Sequence, residues 1–328
     1  MQELRFNPLL GTYTIVAAHR QHRPNMPIGW CPFCPGEGKK VPLDYEVLVY
    51  PNDFPAMSPN PEIITPCNEE PYHNKDSVGY SDVILYSPNH EVTLSELSDA
   101  HVIQLIKTWA SLTQKYAEDE RIKYVFPFEN RGQAVGVTMP HPHGQLYAYS
   151  FLPLKIKTEL SQCIEYYNDS ERNLFDDILN VELMGKRTLI NSTYFWVGIP
   201  YFTDYPFGIF IIAKNPVLYF HELTEEQHLE LAQILKAVNG TFDRLYNKIF
   251  PYMMCVHQGS VNIEEVEKQE SYYRLHIEYY PPWRDDEVIK YYASSEMGAW
   301  AATNTVCIED SIVLLREALN NYHNADLR

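Results

Sequence analysis

His141, His143 and Gln145 stand at alternate positions in the run His141-Pro-His143-Gly-Gln145. That spacing matters because a β-strand sends every second side chain to the same face. Reading the following Gly-Gln-Leu-Tyr-Ala-Tyr-Ser-Phe as a strand converges two imidazoles and a carboxamide on one surface. An imidazole is largely neutral near pH 7, so one nitrogen can attack phosphorus or bind a metal while a hydrogen bond holds the other. A lone His-x-His is also the pattern of exposed or satisfied core histidines. Here it is embedded: Phe128-Glu129-Asn130-Arg131-Gly132 precedes it, and Gly136 and Thr138 lie in the approach loop.

A second landmark is Cys31-Pro-Phe-Cys34. Two cysteines separated by two residues readily share one tetrahedral metal ion in a chain without signs of secretion. A redox pair is the competing reading, but no thioredoxin-like context surrounds it. The chain has six cysteines, and Cys67, Cys163, Cys255 and Cys307 are scattered as ordinary thiols. Near the amino terminus, Arg20 and Arg23 share the short segment His19-Arg20-Gln-His-Arg23-Pro24. Each guanidinium offers a planar fork of donors to phosphate oxygens. A solvated basic loop is the plain alternative.

The elements that must position these groups occur twice. Thr93 to about Glu118 has helical apolar spacing, with Thr93 and Glu96 as a capping box; the strand around Tyr124-Val-Phe-Pro-Phe follows, then the His-Pro-His strand. Farther along, Thr224 opens a helix with Leu231, Ile234, Leu235 and Val238. Then come Phe250–His257 and the segment Tyr273-Arg-Leu-His276-Ile-Glu278. His276-x-Glu278 stands where the first copy has His141-x-His143. We expect an α+β fold of two tandem units, each an antiparallel sheet with packed helices. The boundaries are 1–155 for the catalytic unit and 156–328 for a connector helix (156–186) plus the altered copy.

Composition limits the function classes. At 328 residues and 45% hydrophobic content the chain can bury a substantial core. A net charge of −17 argues against a general nucleic-acid surface. No segment approaches a membrane span and the amino terminus has no apolar leader, so a cytoplasmic enzyme is expected.

Over nearly its whole length the chain resembles the galactose-1-phosphate uridylyltransferase family, the transferase branch of the histidine-triad superfamily. The carriers are Asn7-Pro8 with Gly11-Thr-Tyr-Thr, the His19–Pro24 segment, Cys31-x-x-Cys34, Ser87-Pro-Asn-His90 and the complete Pro140–Gln145 run. The resemblance implies that His143 is the nucleophile and that Gln145, standing where hydrolase relatives have a third His, hydrogen-bonds the phosphoryl oxygens of a uridylyl-enzyme. It implies zinc on Cys31, Cys34, His90 and His141. It also implies a second zinc or iron site in the altered copy on Glu182, His257 and His276, with Glu278 replacing the family's His; a salt-bridged or hydrogen-bonded His/Glu cluster in the core is the alternative. Arg20 and Arg23 become phosphate contacts, and Asn130 and the loop ending at Thr138, in place of the usual Ser, hold nonbridging oxygens. Asn52 and Asp53, in an Asn-Asp-Phe-Pro-Ala run, match the uridine-binding segment; a plain Asn-Asp turn is the alternative.

The carboxyl-terminal hexose region departs most. Lys290 and Glu296 match the family's sugar-phosphate and hexose positions, but the Gln-Arg pair that should follow has no counterpart, and Glu296-x-Gly298 looks more like adenylyl-transferring relatives. The expected activity is ping-pong exchange of UMP between UDP-glucose and galactose 1-phosphate in a homodimer. The alternatives are an ADP-glucose phosphorylase or adenylyltransferase of the same superfamily, and a non-catalytic nucleotide- or metal-binding sensor.

Overall fold

The computed structural model describes residues 2–22, 30–36, 39–67, 69–264 and 266–325. In chain order these form β1 (Gln2–Asn7), β2 (Thr12–Ala17), β3 (Leu48–Pro51), β4 (Asn74–Asp76), β5 (Gly79–Leu85), α1 (Asp99–Ala117), β6 (Tyr124–Arg131) and β7 (His143–Tyr149). There follow α2 (Leu154–Ser170), α3 (Leu174–Met184), β8 (Thr188–Asn191), β9 (Phe195–Gly198), β10 (Phe210–Ala213) and α4 (Glu225–Leu245). The chain closes with β11 (Tyr252–His257), β12 (His276–Tyr280), α5 (Ser294–Gly298) and α6 (Ile308–Ala325).

Among the described residues, nine strands join in one sheet of order β3-β5-β7-β6-β11-β12-β10-β9-β8, and β2-β1-β4 form a separate small sheet. Each pairing in the large sheet is antiparallel, and β6 meets β11 at the seam between the two halves. The mixed α and β architecture agrees with the α+β expectation. The two units do not carry separate sheets: the seam fuses them into one.

Register matches the two halves position for position and shifts the sequence comparison by two residues, because His276-x-Glu278 falls at His143-x-Gln145 and not at His141-x-His143. Gln145 pairs with Phe128 in the first half, and Glu278 pairs with Cys255 in the second. This aligns β7 with β12 and β6 with β11 residue for residue: His143 with His276, Gln145 with Glu278, Gly144 with Ile277, Glu129 with Val256, and Asn130 with His257.

Strand alternation sends the other residues to the helical layer. Leu146, Ala148, Val125, Met254, Val256 and Ile277 join Ile106 and Trp109 of α1 and Leu231, Leu235 and Val238 of α4 in one buried cluster. Each such side chain removed from water stabilises the fold by roughly 1.5–3 kcal/mol. The cluster clamps the sheet from behind and leaves the opposite face for chemistry.

Two helix boundaries differ in detail from sequence expectation. Glu96 does accept the Thr93 N–H at 2.7 Å, but the pair caps a short 3-10 turn, Leu94–Glu96. Leu97 then turns extended, and α1 begins at Asp99 behind Ser98, whose hydroxyl accepts the His101 N–H. Thr224 caps α4 as read, with Gln227 completing the box. The helical connector is two helices, because Glu171 is left-handed at φ 56° and Asn173 caps α3 afresh.

Candidate active site and metal centres

His143 and Gln145 lie on the face of β7 away from the α1–α4 layer, with Tyr147 next along the same face. The His143 ring is fixed by its own chain: Nδ1 lies 2.7 Å from the His141 carbonyl oxygen, which can only accept. Nδ1 therefore carries the proton, and Nε2 carries the lone pair a nucleophile needs. Phe33 packs 5.5 Å from the ring, centroid to centroid. Gly144, between the two polar residues, is required by close approach: a Cβ there would overlap the Tyr86 hydroxyl and stand 3.0 Å from the Phe128 carbonyl oxygen.

Arg20 reaches the same face, its Nη1 donating to the Tyr147 hydroxyl at 3.3 Å. Arg23 lies outside the described residues. Asn130 shares the face with Phe128 on β6, in the position His257 occupies in the second half. After it, Gly132 and Gly136 take positive φ of 89° and 80°, a region side chains disfavour, and turn the chain through a loop where Thr138 is exposed.

Asn52 and Asp53 follow β3, two strands from β7. The Asn52 side-chain Oδ1 accepts the Phe54 N–H at 2.9 Å, the turn geometry set out as the alternative. Asp53 accepts from Lys40 at 2.6 Å and from the Tyr50 hydroxyl at 2.8 Å. Although burial pushes its carboxyl up, these bonds hold it below the usual range.

Lys290 and Glu296 are not gathered at His143 within this chain. Lys290 is buried with its ammonium 4.4 Å from the Tyr292 ring centre and 5.0 Å from that of Tyr205, which in turn packs on Tyr280 of β12, three strands from β7. Glu296 caps α5, accepting the Ala293 N–H at 3.2 Å.

The cysteine pair that spacing picked out and the two histidines that the resemblance implied come together. Ligand atoms of Cys31, Cys34, His90 and His141 all lie within 4.8 Å of one another. Cys34 Sγ is 3.3 Å from His90 Nδ1 and 3.6 Å from His141 Nδ1. Metal–sulfur bonds of ~2.3 Å and metal–nitrogen bonds of ~2.0 Å at a tetrahedral angle would separate those atoms by about 3.5 Å. The His141 Nε2 lies 2.8 Å from the Ser87 carbonyl oxygen, so its proton is there and Nδ1 faces the thiols. Burial lowers the His141 pKa to about 4, keeping the ring neutral and ready to ligate. Tyr45, unread in the sequence, adds its hydroxyl 3.3 Å from the same Nε2.

The second set requires one correction. Glu159, His257, His276 and Glu278 converge, and Glu182 does not belong to them. Glu182 is buried against Arg187, with Oε1 3.0 Å from Nη2, and also accepts the Tyr201 N–H. Its carboxylate is thus committed to a guanidinium. Glu159 comes instead from α2. Its Oε2 is 2.9 Å from His257 Nδ1 and its Oε1 is 3.0 Å from His276 Nε2, with the Tyr273 hydroxyl donating to Oε1. Ile156, Leu160 and Cys163 mark the buried stripe of α2, and Glu159 belongs to that stripe. A carboxylate on an apolar helix face was the available signal, and nothing in local motif spelled it out. Lys155 closes the cluster at 2.5 Å from Glu278 Oε2. Burial opposes ionisation here, yet the carboxylates raise His276 to about 10, and His257 and Lys155 hold Glu278 down near 2. Two imidazoles and two carboxylates suit a first-row divalent ion.

Family models for the galactose-1-phosphate uridyl transferase N-terminal and C-terminal domains match residues 1–153 and 159–326. The chain belongs to the galactose-1-phosphate uridyl transferase family. A relative from Thermotoga maritima, named galactose-1-phosphate uridylyltransferase, is 32% identical over 97% of this chain and 98% of its own. A solved uridylyltransferase structure superposes with a TM-score of 0.88 at 28% identity, covering 97% of this chain and 99% of that one. An Arabidopsis thaliana ADP-glucose phosphorylase with bound ADP-glucose shares the fold, at TM-score 0.72 and 22% identity over 97% of this chain and 98% of that one. No helix among the described residues of this family member is long and apolar enough to cross a membrane.

Proposed function

We propose that this chain exchanges a uridylyl group between UDP-glucose and galactose 1-phosphate through a covalent intermediate on His143. The observation that carries the reading is the His143 ring held at Nδ1 by the His141 carbonyl, with Gln145 on the same strand face. The Nε2 lone pair attacks the α-phosphorus, and the bond from that phosphorus to the bridging oxygen breaks. Its electrons leave with glucose 1-phosphate, a phosphate that needs no strong acid. The uridylyl-imidazole retains its Nδ1 proton and is cationic, and the His141 carbonyl dipole stabilises that charge. Galactose 1-phosphate then reverses the step from the same side. Gln145 and Asn130 are neutral donors for the nonbridging oxygens, Arg20 and Arg23 neutralise the second phosphate, and Thr138 adds a hydroxyl.

Cys31, Cys34, His90 and His141 would hold zinc, which supplies a crosslink between the amino-terminal segment and the approach to β7. Glu159, His257, His276 and Glu278 would hold a second zinc or iron ion of structural role. Lys290 and Glu296 fit a homodimer in which each copy completes its partner's site, and the setting is the cytoplasm. The halves 1–155 and 156–328 then divide the labour as nucleophile unit and supporting unit. Mass spectrometry after mixing the protein with UDP-glucose should find one UMP adduct on His143. The His143→Gly variant should be folded and unlabelled; an adduct elsewhere in that variant would remove His143 from its role.

One observation favours a second reading, ADP-glucose as donor. The Asn52 side-chain Oδ1 is engaged by the Phe54 N–H, so the carboxamide that would read a pyrimidine by donating and accepting has its acceptor occupied. Rates with UDP-glucose and ADP-glucose at equal concentration, with galactose 1-phosphate as acceptor, decide between them. Equal or faster use of ADP-glucose would establish the second.

A further inference from the structure

Directly behind the catalytic strand, on the side facing α1 and α4, lies a polar group that the reaction does not touch. Glu129 of β6 is 6% exposed, and its Oε1 is 2.7 Å from the Tyr252 hydroxyl oxygen. That hydroxyl also meets Asn239 Oδ1 of α4. Asn239 is oriented without ambiguity, because its Nδ2 lies 2.8 Å from the Leu235 carbonyl, which can only accept. Oδ1 must therefore accept from Tyr252. One hydroxyl proton cannot serve two acceptors, so the Glu129–Tyr252 contact needs a second proton, and the Glu129 carboxyl is its source.

The surrounding charges agree. Arg131, on the same strand face, pulls the Glu129 carboxyl down, but Asp243 of α4 engages its guanidinium through two bonds of 2.9 and 2.8 Å and burial outweighs its pull. The remaining titratable neighbours are the hydroxyls of Tyr86, Tyr252 and Tyr279, and burial pushes the Glu129 carboxyl up. Glu129 Oε2 and the Tyr86 hydroxyl are both buried with no hydrogen-bond partner, and the two groups act on one another electrostatically. Tyr86 in turn grips the catalytic strand twice: its N–H donates to the Pro142 carbonyl at 3.0 Å, and its hydroxyl fills the space behind Gly144. The second half lacks this arrangement. At the matching positions Ile277 replaces Gly144 and Val256 replaces Glu129, and that half has a carboxylate where the nucleophile half has Gln145.

We infer that Glu129 is a positioning residue that, as a neutral acid, donates to Tyr252 and accepts from Tyr86, thereby fixing Tyr86 under Gly144 and setting the reach of His143 and Gln145. The inference rests on the uridylyl-transfer reading for its kinetic readout, and on an infrared readout that is independent of it. A misplacement of about 1 Å at a reacting group can cost up to 100-fold.

Glu129→Gln preserves a donor and an acceptor, and its kcat should stay within about threefold of the unmodified enzyme. Glu129→Met, similar in length but apolar, should lower kcat about tenfold or more with the KM for UDP-glucose nearly unchanged. Tyr86→Phe should follow Glu129→Met in direction and serves if the methionine variant does not fold. Difference infrared spectra should show the carbonyl stretch of a protonated carboxylic acid that disappears in Glu129→Gln. Absence of that band overturns the inference whatever the activity. With the band present, equal losses in the glutamine and methionine variants, or full kcat in both Glu129→Met and Tyr86→Phe, would also overturn it. An unmodified protein that shows the band but transfers no UMP would instead defeat the functional reading and, with it, the positioning role.

Discussion

His143 and His276 are the same residue in two copies of one structural unit, and their environments have diverged. Both rings are oriented by the carbonyl two residues back, at 2.7 Å for His143 and 2.8 Å for His276. Both have a polar residue two positions on. The first copy has neutral Gln145, and Asn130 stands in the place of His257. The second has Glu278, His257 and a helix bearing Glu159 and Lys155 laid over the strand. On the proposed reading a phosphodiester approaches the first ring, where Gln145 and Asn130 are neutral amides. At the second ring two carboxylates would repel it, and α2 covers the face. An oriented imidazole is thus a shared product of the fold, while the residue at +2 and the covering element decide whether it attacks, ligates or forms ion pairs.

The most severe way to break the comparison is Gln145→Glu, which gives the first half the second half's charge. Replacing a donor to the phosphoryl oxygens by an anion should lower transfer by about 100-fold or more, with the uridylyl adduct lost in mass spectra. Retained turnover would mean that charge at this position does not distinguish the halves.

Next in size is loss of the metal set that only the first half has beside its nucleophile. Cys31→Ser combined with Cys34→Ser should remove one metal ion per chain by elemental analysis. It should also lower Tm by about 5 °C or more and reduce activity, because in the proposed site His141 would both ligate the ion and supply the carbonyl that holds His143. Unchanged metal content would refute the assignment.

Lys155→Met probes the second half. The Lys155 side chain is 59% exposed, so solvent screens its pairing with the buried Glu278. The expected loss is about 1 kcal/mol in denaturant unfolding, with uridylylation of His143 unaffected. A tenfold fall in transfer would show that the halves are coupled through the seam.

The smallest effect is a pH dependence of stability at Glu129. Its carboxyl pKa is raised in the fold, so as pH rises above the unfolded value of 4.5 the unfolded chain loses a proton that the native protein keeps, and wild-type stability falls. Glu129→Gln lacks that penalty. Its Tm relative to wild type should therefore increase from pH 4.5 to pH 7.5; a difference that is flat with pH would mean that Glu129 ionises normally.

How much was legible in the chain follows from distance along it. Alternation alone put His143 and Gln145 on one face, and the Cys31–Cys34 spacing announced half of a tetrahedral site, because both patterns are set by local backbone geometry. The repeat order of helix and strands was equally readable, since Thr224 with Gln227 and the apolar stripe of α4 are local signals. Glu159 was missed for the opposite reason. It reaches His257 and His276 across about a hundred residues, and nothing local separates it from Glu182, which is more deeply buried but faces Arg187. The turn role of Asn52 and the proton on Glu129 likewise depend on which neighbours arrive.

The sequence by itself therefore determined the kinds of chemistry available and the strands that carry them, through periodicity, caps and short-range spacing. Tertiary structure alone decided that the two units share one sheet through β6 and β11, which carboxylate meets the second histidine pair, and what stands behind Gly144. Those outcomes depend on packing and desolvation between segments far apart in the chain, where the energy of a buried polar group is set by the partner it finds.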